Sequence, residues 1–142
     1  MVAKSKDFVK NIENLIYEKK QVYDKKVDIT VKKIKKIKDR GKLDFGGSEY
    51  KKAAIEEIKT EKKKPDDEYG WWVLDEGVHL VEFNEEIDEE VIIQSNLRLQ
   101  TTGSFIPAQI KQKDEDLENL LIVSKNGLDI KENARIASIF KI

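Results

Sequence analysis

The stretch NGLDIKENARIASIFKI, Asn126–Ile142, decides how the rest of the chain must be arranged. Asn126-Gly127 stands between the apolar runs Leu120-Leu121-Ile122-Val123 and Leu128-Asp129-Ile130, and an Asn-Gly pair tolerates the positive φ angles of a two-residue type I′ turn. The spacing predicts a β-hairpin. A second turn, Lys131-Glu132-Asn133, leads into Ala134-Arg135-Ile136-Ala137-Ser138-Ile139-Phe140, an apolar run with one arginine near its start. A cation opening an otherwise buried strand must either extend to solvent or meet an anion, so Arg135 poses the functional question.

Upstream, the pattern stays β. Val78 to Phe83 is apolar on both faces except for His79 and Glu82, as in a strand inside a sandwich or barrel, and Val91-Ile92-Ile93 resumes the sheet after the acidic run Glu85 to Glu90. That acidic run reads as a hydrated surface turn. His79, a lone histidine in an apolar strand, reads as structural. Trp71 and Trp72 are adjacent, so on a strand they face opposite sides. One is expected in the core and the other outside, packed against a neighbour or, less commonly, stacking on a base. Val27, Ile29 and Val31 alternate with Asp28 and Thr30, which predicts a half-buried strand with Asp28 pointing away from the core. Toward the N-terminus, Phe8, Ile12, Leu15 and Ile16 fall on one face of a 3.6-residue period, so a helix capped by Ser5 is expected over Lys6 to Lys20, within an N-terminal helical segment 1–22. Residues 49–61 read as either helix or strand. Lys62-Lys63-Lys64-Pro65-Asp66-Asp67 follows, and 60–68 is the expected flexible stretch.

The chain has 142 residues, with 39% hydrophobic and 39% charged residues, which fits one domain, 1–142, with a modest core. With no cysteine, disulfides are excluded, and with His79 as the single histidine so are zinc sites of the Cys/His kind. Any metal would be oxygen-bound. No apolar run is long enough to cross a bilayer and no signal-like segment opens the chain, so a cytoplasmic protein without membrane contact is expected. The net charge of −1 hides a division: residues 1–64 hold 20 Lys+Arg against 11 Asp+Glu, and residues 65–142 hold 7 against 17. Either the halves complement one another or the basic one touches nucleic acid or polyphosphate. The basic half lacks the interleaved aromatics that nucleic-acid recognition uses, so nucleic acid is the lesser expectation.

Three segments carry a family resemblance. Asn133-Ala134-Arg135-Ile136-Ala137-Ser138-Ile139-Phe140 resembles the G-x-R-I-A-Q-hydrophobic-F motif of the dUTPase and dCTP deaminase superfamily. Trp72 to Glu85 is similar to its W-x-L-x-P-G-x-Y-L-V-E-x-x-E segment, and Val27 to Ile34 to its V-D-L-x-V-G-x-I stretch. The matches cover residues 27–142 in the family's order. The resemblance implies a mainly β fold, a distorted, jelly-roll-like, mostly antiparallel β-barrel over 27–142 with an N-terminal helix, and an extended passage at 49–61. It also implies a homotrimer, a dUTP-like deoxynucleotide ligand and, for an active member, magnesium-dependent hydrolysis of dUTP to dUMP and pyrophosphate. In that reading Asp28 helps hold Mg2+, Arg98, Arg135 and Ser95 hold phosphate, and Asp114 or Asp116 positions water.

The departures from the family pattern are as informative as the matches. Where the family has P-R-S-S-L-x-R-x-G, this chain has Ser95-Asn96-Leu97-Arg98-Leu99-Gln100-Thr101-Thr102-Gly103, with Asn96 in place of the first arginine and Leu97 and Arg98 in place of the serines. The D-x-G-Y-x-G segment is missing altogether. Removing one well-placed acid-base group costs about 10²- to 10⁴-fold in rate, and here the base, sugar platform and phosphate loop depart together. The expectation is a diverged member that is catalytically weak or inactive and binds a nucleotide or a partner protein. The alternatives are an active dUTP diphosphatase and a nucleic-acid-binding module.

Overall fold

The computed structural model describes residues 1–115 and 118–142. Strand β1 spans Ile12–Glu13, helix α1 Glu18–Gln21, β2 Val27–Ile37, β3 Ile55–Glu57, β4 Trp71–Leu74 and β5 Gly77–Phe83. Then come β6 (Glu86–Ile87), β7 (Val91–Ser95), α2 (Leu97–Thr101) and β8 (Gln109–Lys111). The C-terminal part holds β9 (Glu118–Val123), β10 (Leu128–Lys131) and β11 (Arg135–Phe140). A seven-stranded sheet runs in the order β8-β7-β11-β2-β5-β9, with β3 also on β2, and the pairs β10-β4 and β1-β6 complete the structure. All the pairings are antiparallel. The mainly β, antiparallel architecture is the expected one.

Strand β2 is the hinge of this arrangement. Its first residues, Val27 to Thr30, pair with β11, and Val31 to Lys36 pair with β5. Register shifts interrupt both ladders, between Arg135 and Ala137 and between Val31 and Lys33. Such irregularities bend a strand and raise its twist, so one long strand serves two faces of a curled sheet. Val27, Ile29, Val31 and Ile34 are fully buried on its core side with Ile93, Leu121 and Ile139. Trp72 is buried and its Nε1 donates to the Ile58 carbonyl at 2.9 Å, whereas Trp71 is half-buried. The two tryptophans therefore divide as a strand period requires.

Three expectations are corrected. The predicted N-terminal helix is replaced by two 3₁₀ turns, Ser5–Asp7 and Val9–Asn11, then β1 and the single-turn α1. Asn14 breaks the helix by adopting φ of 68°, and Ile16, assigned to its apolar face, is 53% exposed. Ser5 is buried and donates to the Lys26 carbonyl at 3.0 Å instead of capping. Secondly, Asp28 lies on the face opposite Val27 and Ile29 yet is only 2% exposed, because the segment preceding β2 covers that face. Thirdly, the Asn126-Gly127 turn is not a type I′ hairpin. Gly127 N donates to the Ser124 carbonyl at 2.9 Å, so Lys125 and Asn126 are its central residues, and Gly127 after them is left-handed at φ of 79°. Its flanking strands separate, β9 pairing with β5 and β10 with β4, so the turn forms a corner between sheets.

Within 49–61, Ile55–Glu57 is a strand on β2, so the extended passage implied by the resemblance is present there. The charge division is partly neutralised within the chain: Lys35 pairs with Glu82 and Glu118, and Lys63 with Asp129 at 2.6 Å. The corner also explains why position 127 is a glycine. A Cβ there would lie 2.8 Å from the Leu74 carbonyl oxygen, on top of an unfavourable φ. Gly127→Ala should destabilise the fold by about 1–3 kcal/mol, read as a lower urea midpoint, and an unchanged midpoint would remove the corner from the architecture.

Candidate functional site

Arg98 and Arg135, the two arginines singled out for phosphate binding, line one cleft of about 390 Å³. Trp71, Asp129, Lys131 and Asn133 also line it, over a floor that includes Leu99, Leu128, Ile130 and Ile136. Local structure brings them together. Asn133 takes φ of 66°, a left-handed conformation that asparagine tolerates, and Ala134 N donates to the Lys131 carbonyl at 3.1 Å. That turn aims the start of β11 at the cleft. Glu132 Oε1 accepts from Gly70 N at 2.9 Å and Thr60 Oγ1 at 3.1 Å, which clamps the chain entering Trp71 against the same turn. Asn96 caps α2 ahead of Arg98, its Oδ1 accepting from Arg98 N at 2.9 Å.

The electrostatics of the cleft are unequal. Among the described residues the Arg98 guanidinium has no hydrogen-bonding or ion-pair partner, and its residue is exposed. Trp71 carries lysine ammoniums over its ring, Lys63 at 4.3 Å and Lys131 at 5.6 Å from the centroid. Asp129 is held by Lys63. Arg135 answers the question its position raised, because it meets an anion of its own chain. Its Nη1 lies 3.5 Å from Asp28 Oδ2 and donates to the Lys20 carbonyl at 2.7 Å and the Tyr23 hydroxyl at 2.8 Å.

Asp28 is the centre of a buried polar layer. Its Oδ1 accepts from Ser138 Oγ at 2.7 Å and lies 3.2 Å from Lys26 Nζ. Both carboxylate oxygens thus face cations or a hydroxyl donor of the chain itself. A magnesium ligand needs a carboxylate whose charge is not already neutralised, so the donor set around Asp28 does not suit that ion, and no group of three potential ligand residues gathers elsewhere among the described residues. Beside it, Glu85 is 2% exposed and accepts from Thr30 N at 2.8 Å, Thr30 Oγ1 at 2.7 Å and Gln21 Nε2 at 2.8 Å. Glu85 therefore does not belong to a hydrated surface turn, a correction that applies to the first residue of the acidic run. Burial pushes its carboxyl above the ordinary glutamate value, against the donors of Thr30 and Gln21.

The remaining candidates lie apart. Ser95 is buried, accepting from Ile106 N at 2.6 Å and donating to the Ile106 carbonyl at 3.1 Å, so it fastens a loop and does not line the cleft. Asp114 is exposed at φ of 69° on a separate cleft with Lys111 and Glu115, sharing no wall with the arginines. Asp116 lies outside the described residues. His79 is buried, which holds its pKa below the ordinary histidine value, and it lines neither of these clefts. Sequence reasoning missed Gln21, Tyr23, Lys26 and Lys131. Only Lys131 carried a signal, its place two residues before the left-handed Asn133 in the turn that precedes Arg135.

No protein-family model matches the sequence, and no curated protein matches it. Among solved structures, 2′-deoxycytidine 5′-triphosphate deaminase from Agrobacterium tumefaciens superposes with a TM-score of 0.62 at 8% sequence identity, over 98% of this chain and 47% of that one. The likeness shows the fold, in agreement with the resemblance of the motifs to the dUTPase and dCTP deaminase superfamily. The chain spans about half the length of that protein. No helix among the described residues is long and apolar enough to cross a membrane.

The raised Glu85 carboxyl predicts a pH signature. Because its folded pKa lies above the unfolded value of about 4.5, the native state keeps a proton that the unfolded chain releases. The resulting stabilisation is complete below the unfolded value and is lost as pH rises through the folded one. In urea titrations across this range, the stability of the protein relative to Glu85→Gln should fall with rising pH, whereas a constant difference would mean that Glu85 does not titrate there.

Proposed function

We propose that this protein is a cytoplasmic, diverged member of the dUTPase and dCTP deaminase superfamily that binds a dUTP-like deoxynucleotide and turns it over weakly or not at all. One observation carries the reading: the cleft gathers Arg98, Lys131, Arg135 and the Trp71 indole, while the chain's own cations occupy its nearby carboxylates. Guanidinium groups match phosphate oxygens in geometry as well as charge, and an indole face accepts a base by stacking. Arg98 is the unencumbered anchor. Lys131 adds positive charge at the rim, and Trp71 offers an indole face to the base where the Lys63 and Lys131 ammoniums over its ring give way to it. Orientation of attacking water asks for more, namely a carboxylate free to accept a proton at the scissile phosphate. Asp129 is neutralised by Lys63, and Asp28 by Lys26 and Arg135. Asp28, paired in this way, does not suit magnesium.

Self-association, as a trimer, is part of the proposal. Val78 pairs with Ile122 and Leu80 with Leu120 on the outer side of β5 and β9, and Phe105 bridges to Ile122. Val78, Leu120 and Phe105 are 43%, 40% and 47% exposed. An apolar row continued across neighbouring strands supports burial against another copy. Light scattering should give the mass of three chains, and a clean monomer at micromolar concentration would overturn this part.

Calorimetric titration with a non-hydrolysable dUTP analogue tests the binding. The protein should bind the analogue, and Arg98→Ala should weaken it by about tenfold or more, since a hydrogen bond to a charged group contributes about 1.5–3 kcal/mol. Pyrophosphate release from dUTP above background, abolished by Arg135→Ala or by removing magnesium, would replace this reading with that of an active diphosphatase.

A further inference from the structure

We propose that the segment Tyr17–Lys25 is an intramolecular competitor for the polyphosphate end of the ligand, a strap that occupies Arg135 until the phosphates displace it. The inference rests on the reading of the Arg98–Arg135 cleft as a nucleotide site and adds its regulation. Its basis is the chemistry at one nitrogen. Arg135 Nη1 has two N–H donors, and the strap supplies an acceptor for each, the Lys20 carbonyl at 2.7 Å and the Tyr23 hydroxyl at 2.8 Å, whereas Asp28 stands further off at 3.5 Å. These are uncharged acceptors, and a phosphate oxygen adds the attraction of an opposite charge and an acceptor geometry that the planar guanidinium matches. A polyphosphate reaching from Arg98 toward Arg135 would offer such an oxygen.

The strap is built to leave. Of its hydrophobic side chains, Tyr17 and Tyr23 are 54% and 44% exposed, and Val22 alone packs, partly buried, against the core. Gln21 is the principal tether, its Nε2 donating to Glu85 Oε2 at 2.8 Å and to the Asp28 carbonyl at 3.0 Å, and its Oε1 accepting from Tyr17 N at 2.7 Å. A segment fastened mainly by polar contacts opens locally at a lower free energy than the strands beneath it. Its limits are also marked. Asn14 is left-handed before it, and the isolated bridge between Val22 and Val27 closes the bend behind it. Lys26 directly precedes β2 and stays beside Asp28 when the strap swings, so release of Arg135 does not leave that buried carboxylate without a cation.

The test pairs affinity with amide exchange in the full chain. Tyr23→Phe removes one of the two strap acceptors and should tighten binding of the dUTP analogue by about three- to tenfold, the range expected of a single hydrogen bond. Gln21→Ala, which loosens the tether, should tighten it as well and speed exchange of the Ser5 and Tyr23 amides, which donate across the edges of the closed strap to the Asp24 and Lys26 carbonyls. Saturating analogue should speed the same amides in the unaltered protein. Binding that is unchanged in both variants, with these amides indifferent to ligand, would overturn the strap and leave the nucleotide reading standing. Failure of the unaltered protein and both variants to bind the analogue would overturn the nucleotide reading itself.

Discussion

The buried carboxylate of Asp28 is the constraint on which the neighbourhood of the cleft depends. Removing an ionised group from water costs on the order of several kcal/mol even after relaxation, and only close partners offset it. Ser138 supplies a hydroxyl from the strand directly opposite, Lys26 an ammonium from the residue before β2, and Arg135 a guanidinium from the far end of the same ladder. The β2–β11 pairing is thereby specified twice, by hydrophobic side chains on its core face and by charge on the other. A slip by one residue would turn Asp28 into the hydrophobic core and bring Ile29 against Lys26 and the strap.

This arrangement also accounts for the N-terminal segment. Asp28 and Thr30 put polar groups on a strand face that would otherwise meet solvent, and Gln21 and Glu85 complete a layer in which each carboxylate oxygen finds a donor. A helix over Lys6 to Lys20 would have aligned Phe8, Ile12, Leu15 and Ile16 but would not have delivered Gln21 to Glu85. The chain instead buries Phe8 and Ile12, bends at Asn14, and crosses β2 as a strap. The local apolar period was outweighed by long-range polar contacts, such as those of Gln21 with Glu85, whose partners lie 64 residues apart in sequence.

That contrast describes what was legible in the sequence. Strands β2, β5, β7 and β11 announce themselves through alternation or unbroken apolar runs, because a half-buried or buried sheet imposes those patterns residue by residue. The division of Trp71 from Trp72 follows from the same period. Of the site, Arg135 was visible because a cation opening an apolar strand is costly without a purpose, and Arg98 only through the resemblance of its segment to the family's phosphate motif. Tyr23 and Lys26 carried no comparable mark, since a polar residue in an irregular segment looks the same whether it faces water or a guanidinium. The corner at Gly127 was half legible: the glycine was recognisable, but its close approach to Leu74 is a property of two strands that are distant in the chain.

The way charge is distributed explains why binding can outlast catalysis on such a scaffold. Selecting a ligand's sign needs only an excess of one charge, and here Arg98 and Lys131 supply it, while Asp28 is outnumbered by Lys26 and Arg135 and Asp129 is matched by Lys63. Accelerating hydrolysis needs a particular carboxylate at a particular distance and angle, a much narrower condition. The cleft keeps its attraction for phosphate because guanidinium groups need only charge and donors for that, whereas Asp28, held between lysine, arginine and serine, is stabilised as the anion and is a weaker base toward water.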